Sequence, residues 1–301
     1  MTLRQPSNPS AAPLIAAGWM VGALLSFSAM AVAGREISFE LDTFQLMFYR
    51  SLIGLLVILA VAGLSPRGLG GGWAQFRTRR LPLHLGRNVA HFVGQFGWFY
   101  AIALIPLAQV FAIEFTIPLW VALLAPFVLH ERLTAARWAA VLVGFAGILI
   151  IVRPGAAPVS SGHVAVLIAA LAFAGTIMVT KRLTPSESSL TILFYMALVQ
   201  APLGLIPSLG HLQMPTAITW GWLVVVTLCG LSAHFCMAQA LRLADATLVV
   251  PMDFLRLPLI AWVGMLLYGE ALDPWVFLGG LLILAANFAS LRAARRSMVR
   301  A

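Results

Sequence analysis

Five charged side chains stand inside long apolar runs of this 301-residue chain: Arg50, Arg87, Glu114, Asp253 and Arg256. A charge in hydrocarbon costs at least roughly 2.5–3.5 kcal/mol, so it faces a bundle interior or a water-filled cavity and is a first candidate for binding. Asp253 and Arg256 are three residues apart and can pair on one helix face. Arg50 and Glu114 both fall several residues below the same membrane boundary, so Arg50 is a candidate partner for Glu114. Two chemistries fit these groups: substrate or proton binding, and salt bridges that hold helices together.

A second set forms a stripe. His84, Arg87, His91, Gln95 and Trp98 are spaced 3, 4, 4 and 3 apart, which places them on one helical face. That face would line a central cavity open to the cytoplasm. For His84 and Arg87 the competing reading is snorkelling to the interface. For His91 and Gln95 it is a helix–helix hydrogen bond. Trp98 continues the stripe and Trp120 follows the Glu114 segment, so both are candidate walls for an aromatic or amphipathic substrate. Pro118, Pro126, Pro251 and Pro258 interrupt the surrounding runs and free backbone carbonyls.

These residues need apolar helices to hold them, and the composition supplies little else. The chain is 61% hydrophobic and 10% charged, with a mean hydropathy of +0.96. Soluble domains carry about 25% charged residues. A hydrocarbon core about 30 Å thick needs about 20 apolar residues per span. Ten segments qualify: 13–34, 43–64, 83–104, 107–129, 135–152, 162–181, 189–209, 217–241, 246–268 and 274–292. The first is too long for a signal peptide's apolar core and lacks a clean cleavage site, so it reads as a retained helix.

With the N-terminus in the cytoplasm, fourteen Lys and Arg fall inside, two (Arg35 and Arg153) fall outside, and three lie within helices. This is a strong positive-inside bias. It predicts both termini in the cytoplasm, a multi-pass inner-membrane location and an even number of spans. The net charge of +9 therefore belongs to membrane topology, and nucleic acid is excluded as a partner. Cys229 and Cys236 lie seven apart in one apolar run and form neither a disulfide nor a zinc pattern.

The chain also repeats itself. An offset of 139 residues aligns Leu104 with Leu243, Glu114 with Asp253, Ala122 with Ala261, Glu131 with Glu270 and Leu133 with Leu272. Pro118 and Pro258 align after a one-residue slip. A unit of five spans is odd, so its copy is inverted. The expected organisation is an all-α membrane protein of ten transmembrane helices in two inverted five-helix repeats. The first repeat covers 13–152 and the second 162–292, with cytoplasmic tails 1–12 and 293–301. Inverted repeats recur in secondary transporters, with the substrate site near the midplane.

The chain resembles the drug/metabolite transporter superfamily, in particular its EamA-type members with two five-helix repeats. The resemblance is carried by FYRSLIG (48–54), GQFGWFYAIALIPLA (94–108), EFTIPLW (114–120) with HERLT (130–134), and GEAL (269–272). It spans about 13 to 292. It implies transport, most commonly export, and places Arg50 within the family's second-helix pattern. Members handle amino acids, nucleotide sugars, vitamins and drugs, and bacterial relatives include exporters of amino acids, aromatic ones among them. The substrate expectation is thus amino acids, with other small metabolites or cationic drugs as the alternative.

The expected mechanism is alternating access, with a substrate carboxylate at Arg50, Arg87 or Arg256 and an ammonium at Glu114 or Asp253. Histidines of the stripe could titrate near neutrality if transport is proton-linked. A monomer is sufficient, a dimer is compatible, and the lipid bilayer is the standing partner. No cofactor or metal is expected. HERLT has Thr134 where a zincin has its second histidine. A channel or an intramembrane acid-pair enzyme using Glu114 and Asp253 is the minor alternative.

Overall fold

The computed structural model describes residues 12–64, 72–129, 135–156, 158–243 and 252–299. Arg67, Pro251 and the HERLT segment lie outside them. Among the described residues the regular elements are helices: α1 (Ala12–Ile37), α2 (Thr43–Leu64), α3 (Leu81–Leu104), α4 (Leu107–Glu114), α5 (Ile117–Leu129), α6 (Ala135–Val152), α7 (Ser161–Leu183), α8 (Ser189–Ser208), α9 (Ala217–Leu243), α10 (Arg256–Tyr268) and α11 (Pro274–Val299), with a short 3₁₀ turn at Gly72–Phe76.

The fourth predicted span is α4 and α5 together, broken at Phe115-Thr116. The ninth is helical at Met252-Asp253, broken at Phe254-Leu255, and resumes as α10. Six helices among the described residues, counting Leu107–Pro126 as one, are long and apolar enough to cross a membrane, and three shorter apolar helices accompany them. The remaining span is α3, whose length suffices but whose polar stripe lowers its hydropathy. The chain is an all-α membrane protein of ten spans in two inverted five-span repeats.

The breaks follow from the sequence. Pro118 donates no N–H, so the carbonyl four residues earlier, that of Glu114, loses its helical donor. The carbonyls released there are answered locally. Thr116 Oγ1 donates to Ile113 O at 2.6 Å, and Asn287 Nδ2 donates to Phe115 O at 2.9 Å. Pro258 occupies the first turn of α10, where its missing N–H costs nothing. The two breaks are separated by 139 residues, the offset that aligned Glu114 with Asp253.

Two compact units emerge, one from Met1–Phe96 with Val179–Val249, the other from Gly97–Met178 with Val250–Ala301. In the first, α1 packs on α9, and α2 packs on α8 and α9. Trp19 meets Phe235 edge-on, and Gly22 leaves room for Cys236. Gly204 of α8 lies against the α2 backbone, where an added Cβ would sit 2.7 Å from Phe48 N. The α1–α2 turn is tied to the start of α9. Glu40 accepts from Thr216 N at 2.7 Å, from Thr216 Oγ1 at 2.8 Å and from Thr219 Oγ1.

In the second unit α6 packs on α11, α4 on α10 and α11, and α5 on α6 and α11. The helices α6 and α11 cross at glycine, where a Cβ on Gly147 would lie 2.7 Å from Gly279 O. The GEAL segment also acquires a role. Gly269 ends α10 in the left-handed region at φ 66°, and its N–H and that of Glu270 return to Met265 O and Gly264 O. The turn brings Glu270 Oε2 within 2.8 Å of Leu107 N, so a carboxylate caps α4. Arg153, outside α6 at φ 47°, pairs with Asp273, which caps α11 through Trp275 N at 3.0 Å.

The helix pairings obey the repeat. Numbered as spans, 2 pairs with 7, 4 with 9 and 5 with 10, each a partner of its own repeat image. Span 1 pairs with 8, whose image is 6 with 3. That contact is present at Gly97 of α3, where an added Cβ would lie 2.6 Å from Ala165 O of α7.

Two outcomes test this packing. Gly147→Leu forces apart a backbone contact and should lower stability by at least about 1–3 kcal/mol, read as the thermal midpoint of purified protein in detergent. Hydrogen bonds from Thr219, then Thr216, hold the Glu40 carboxyl below the usual glutamate range. Its contribution is therefore present at neutral pH and lost as pH falls from that range through the lower folded value. Glu40→Gln should flatten this acid limb of the stability profile.

Candidate functional site

The second unit places its charges at the two helix breaks. Asp253 precedes the break in the ninth span and Arg256 follows it, and Arg256 Nη2 lies 2.7 Å from Asp253 Oδ2. Glu114, the last residue of α4, faces the same guanidinium, its Oε1 3.6 Å from Arg256 Nη1. Trp98 Nε1 donates to Glu114 Oε2 at 2.7 Å. The guanidinium rests over Phe115 at 5.0 Å and Phe111 at 5.5 Å from the ring centroids. Phe115 lies against Phe254 at 4.8 Å, and these two phenylalanines occupy equivalent positions of the two repeats.

One cation thus answers two carboxylates. The Arg256 side chain is 5% exposed, Glu114 16% and Asp253 18%. Asp253 Oδ1 is buried with no hydrogen-bond donor among the described residues. Among the described residues two carboxyl groups share one guanidinium here, beside three aromatic faces. That chemistry suits a cationic or hydrogen-bond-donating group.

The expected Asp253–Arg256 pair is present. Within the second unit Glu114 is held by Arg256 and Trp98, because the repeat brings the two breaks of that unit together. Arg50 belongs to the first unit, with Nη2 3.1 Å from where a Cβ on Gly230 of α9 would stand. Trp120 packs edge-on against Phe145 at 4.8 Å, with Nε1 buried and without an acceptor among the described residues.

The first unit gathers the stripe. His84, Arg87, Asn88, His91 and Gln95 are all buried, whereas Leu81, Leu85, Val89 and Val93 of the same helix are exposed. The polar face of α3 turns into protein and its apolar face toward lipid. Snorkelling is therefore excluded for His84 and Arg87, at 0% and 7% exposure. Arg87 Nε donates to Thr180 Oγ1 at 3.1 Å, and Nη1 donates to Asn88 Oδ1 at 2.7 Å. His91 Nδ1 lies 2.9 Å from Gln200 Nε2.

Sequence reasoning passed over Asn88, Gln200 and Asn287. Each is an amide within an apolar run, and a buried amide carries in weaker form the cost that singles out a buried charge. A cavity of about 200 Å³ lined by Pro106, Gln109, Glu270, Asp273, Val276 and Phe277 is smaller than the roughly 300–1,000 Å³ usual for ligand sites. No cluster of metal-ligating side chains occurs among the described residues.

Ten spans in inverted repeats, with charges held at paired helix breaks, define a secondary transporter. The profile of the EamA-like transporter family matches residues 14–153 and again 160–292, and the chain belongs to this family, within the drug/metabolite transporter superfamily. It is 27% identical over 284 residues to an S-adenosylmethionine uptake transporter of Rickettsia bellii, covering 94% of this chain and 96% of the relative. It is 30% identical over 289 residues to a riboflavin transporter of Rhizobium johnstonii, covering 95% and 93%. A pseudopaline exporter of Pseudomonas aeruginosa is 29% identical over 281 residues, covering 92% and 96%. A solved crystal structure shares the fold, with a TM-score of 0.61 and 20% identity over 93% of this chain and 98% of its own. The relatives point to transport of small metabolites. They do not carry the amino-acid expectation, and the broader alternative of other small metabolites fits them better.

Removing Arg256 tests the shared ion pair. Arg256→Met leaves two partly buried carboxyl groups without their guanidinium and should lower the thermal midpoint, by up to about 3–5 kcal/mol. The triple variant with Glu114→Gln and Asp253→Asn should recover most of that loss.

Proposed function

We propose that this chain carries small polar–aromatic metabolites across the bacterial inner membrane by alternating access. Its two repeats, 13–152 and 162–292, rock about the charged helix breaks, and both termini lie in the cytoplasm. The observation that carries the reading is the second-unit cluster. Trp98, Glu114, Asp253 and Arg256 are assembled from both repeats, at broken helices, with charges that partial burial in an apolar bundle makes expensive. A bundle needing only stability would gain by replacing such a cluster with apolar side chains.

The substrate is a vitamin- or nucleoside-like metabolite with an aromatic part and a hydrogen-bond-donating or cationic part. The aromatic faces of Phe111, Phe115 and Phe254 and the two carboxyl groups that share one guanidinium support this class, and so do the relatives named for S-adenosylmethionine and riboflavin. Amino acids remain the second reading, supported by the mixed charges of Arg50, Arg87, Glu114, Asp253 and Arg256. The relatives include both an uptake system and an exporter, so direction is read from sided flux.

Purified protein in proteoliposomes should exchange labelled riboflavin or S-adenosylmethionine in saturable counterflow, and exchange amino acids less well. Glu114→Gln and Asp253→Asn should each lower flux by about tenfold or more while retaining the folded elution profile, an effect on the scale of one charge-assisted bond. Saturable exchange of amino acids alone would reverse the substrate assignment. Undiminished flux in both variants would remove the site assignment.

A further inference from the structure

Arg87 is a guanidinium buried in the first unit whose acceptors are both neutral. Its Nε and Nη1 donate to Thr180 Oγ1 and Asn88 Oδ1, and no carboxylate forms an ion pair with it among the described residues. Glu187, which reaches toward the same end of α3, is engaged by Thr78 Oγ1 at 2.6 Å and stands 3.7 Å from His84 Nε2. Asn88 is 0% exposed. Its carbonyl is fixed by Arg87, which fixes the amide orientation, and its Nδ2 is buried with no acceptor among the described residues. A buried charge and a buried donor therefore stand side by side, both wanting electrons.

Each unsatisfied buried donor costs free energy. An oxyanion answers both demands at once, because a guanidinium and an amide N–H together match its acceptor oxygens.

We propose that Arg87 and Asn88 Nδ2 form an oxyanion-binding pole in the first unit that receives a carboxylate or phosphate group of the transported molecule. None of its residues belongs to the carboxylate cluster of the second unit. It rests on the carrier reading for its purpose and not for its binding chemistry. A purely bracing role for Arg87, tying α3 to α7 through Thr180, makes the opposite prediction about stability.

The test uses the full chain in detergent, with benzoate and phenyl phosphate as probes and benzamide as the neutral control. The thermal midpoint should rise saturably with at least one anion and stay unchanged with benzamide, and the responding anion tells carboxylate from phosphate. Arg87→Met and Asn88→Leu should each weaken that binding about ten- to a hundredfold. Without ligand, Arg87→Met combined with Asn88→Leu should keep or raise the midpoint, because the pair removes a buried charge that no protein carboxylate answers together with the amide it holds. Asn88→Leu supplies the binding result independently should Arg87→Met fail to fold. No stabilisation by either anion, equal stabilisation by benzamide, or anion binding unchanged in both variants would overturn the proposal. Anion binding without counterflow of any substrate would instead sink the carrier reading and leave the pole standing.

Discussion

Hydrocarbon offers no hydrogen bonds, and almost every feature of this chain answers to that fact. A backbone group left unpaired in lipid costs several kcal/mol, so a helix can break within the membrane only where protein supplies the missing partner. Here the partners are identifiable. Thr116 closes onto Ile113, Asn287 reaches Phe115, and Glu270 takes up the free N–H of Leu107. The break in the fourth span is tolerated because Thr116 and the tenth span provide its missing groups, and the start of α4 is capped from the end of the ninth. The charges follow the same logic: Glu114 and Asp253 sit at the breaks because Arg256 and Trp98 are there to receive them.

Much of this was legible in the sequence. Span count and fold class follow from apolar length and from the distribution of Lys and Arg. The 139-residue offset between Glu114 and Asp253 marked a relation that reappears in the helix breaks. The spacing of the α3 stripe placed His84, Arg87, His91 and Gln95 on one face by the 3.6 period, and that face is buried, where snorkelling was the competing expectation for His84 and Arg87. The contact of Glu114 with Arg256 and Trp98 was not legible. Depth in the membrane does not single out one cation, and only packing decides which helix stands opposite. Substrate class was less legible still, because a few side chains set it while the fold is shared by transporters of unlike cargo.

Small residues do for packing what the polar groups do for bonding. Lipid tails are as apolar as leucine, so helices associate through close fit rather than hydrophobic burial. Gly147 against Gly279, Gly97 against Ala165 and Gly204 against the α2 backbone are sites where two main chains touch. These contacts mark crossings in both units, and several join helices from different repeats.

That last feature bears on how the protein is made. Ser26 of α1 meets Ser232 of α9 across 206 positions of chain. At about 5–20 residues per second the ribosome needs roughly 10–40 s to bridge that distance. During this interval α1 and α2 are already inserted, their small-residue faces and Arg50 turned toward lipid or toward whatever the insertion machinery provides. The newborn first half is thus an assembly intermediate with a long obligatory wait, and the cell's membrane-protein quality control meets it in that condition each time a copy is synthesised.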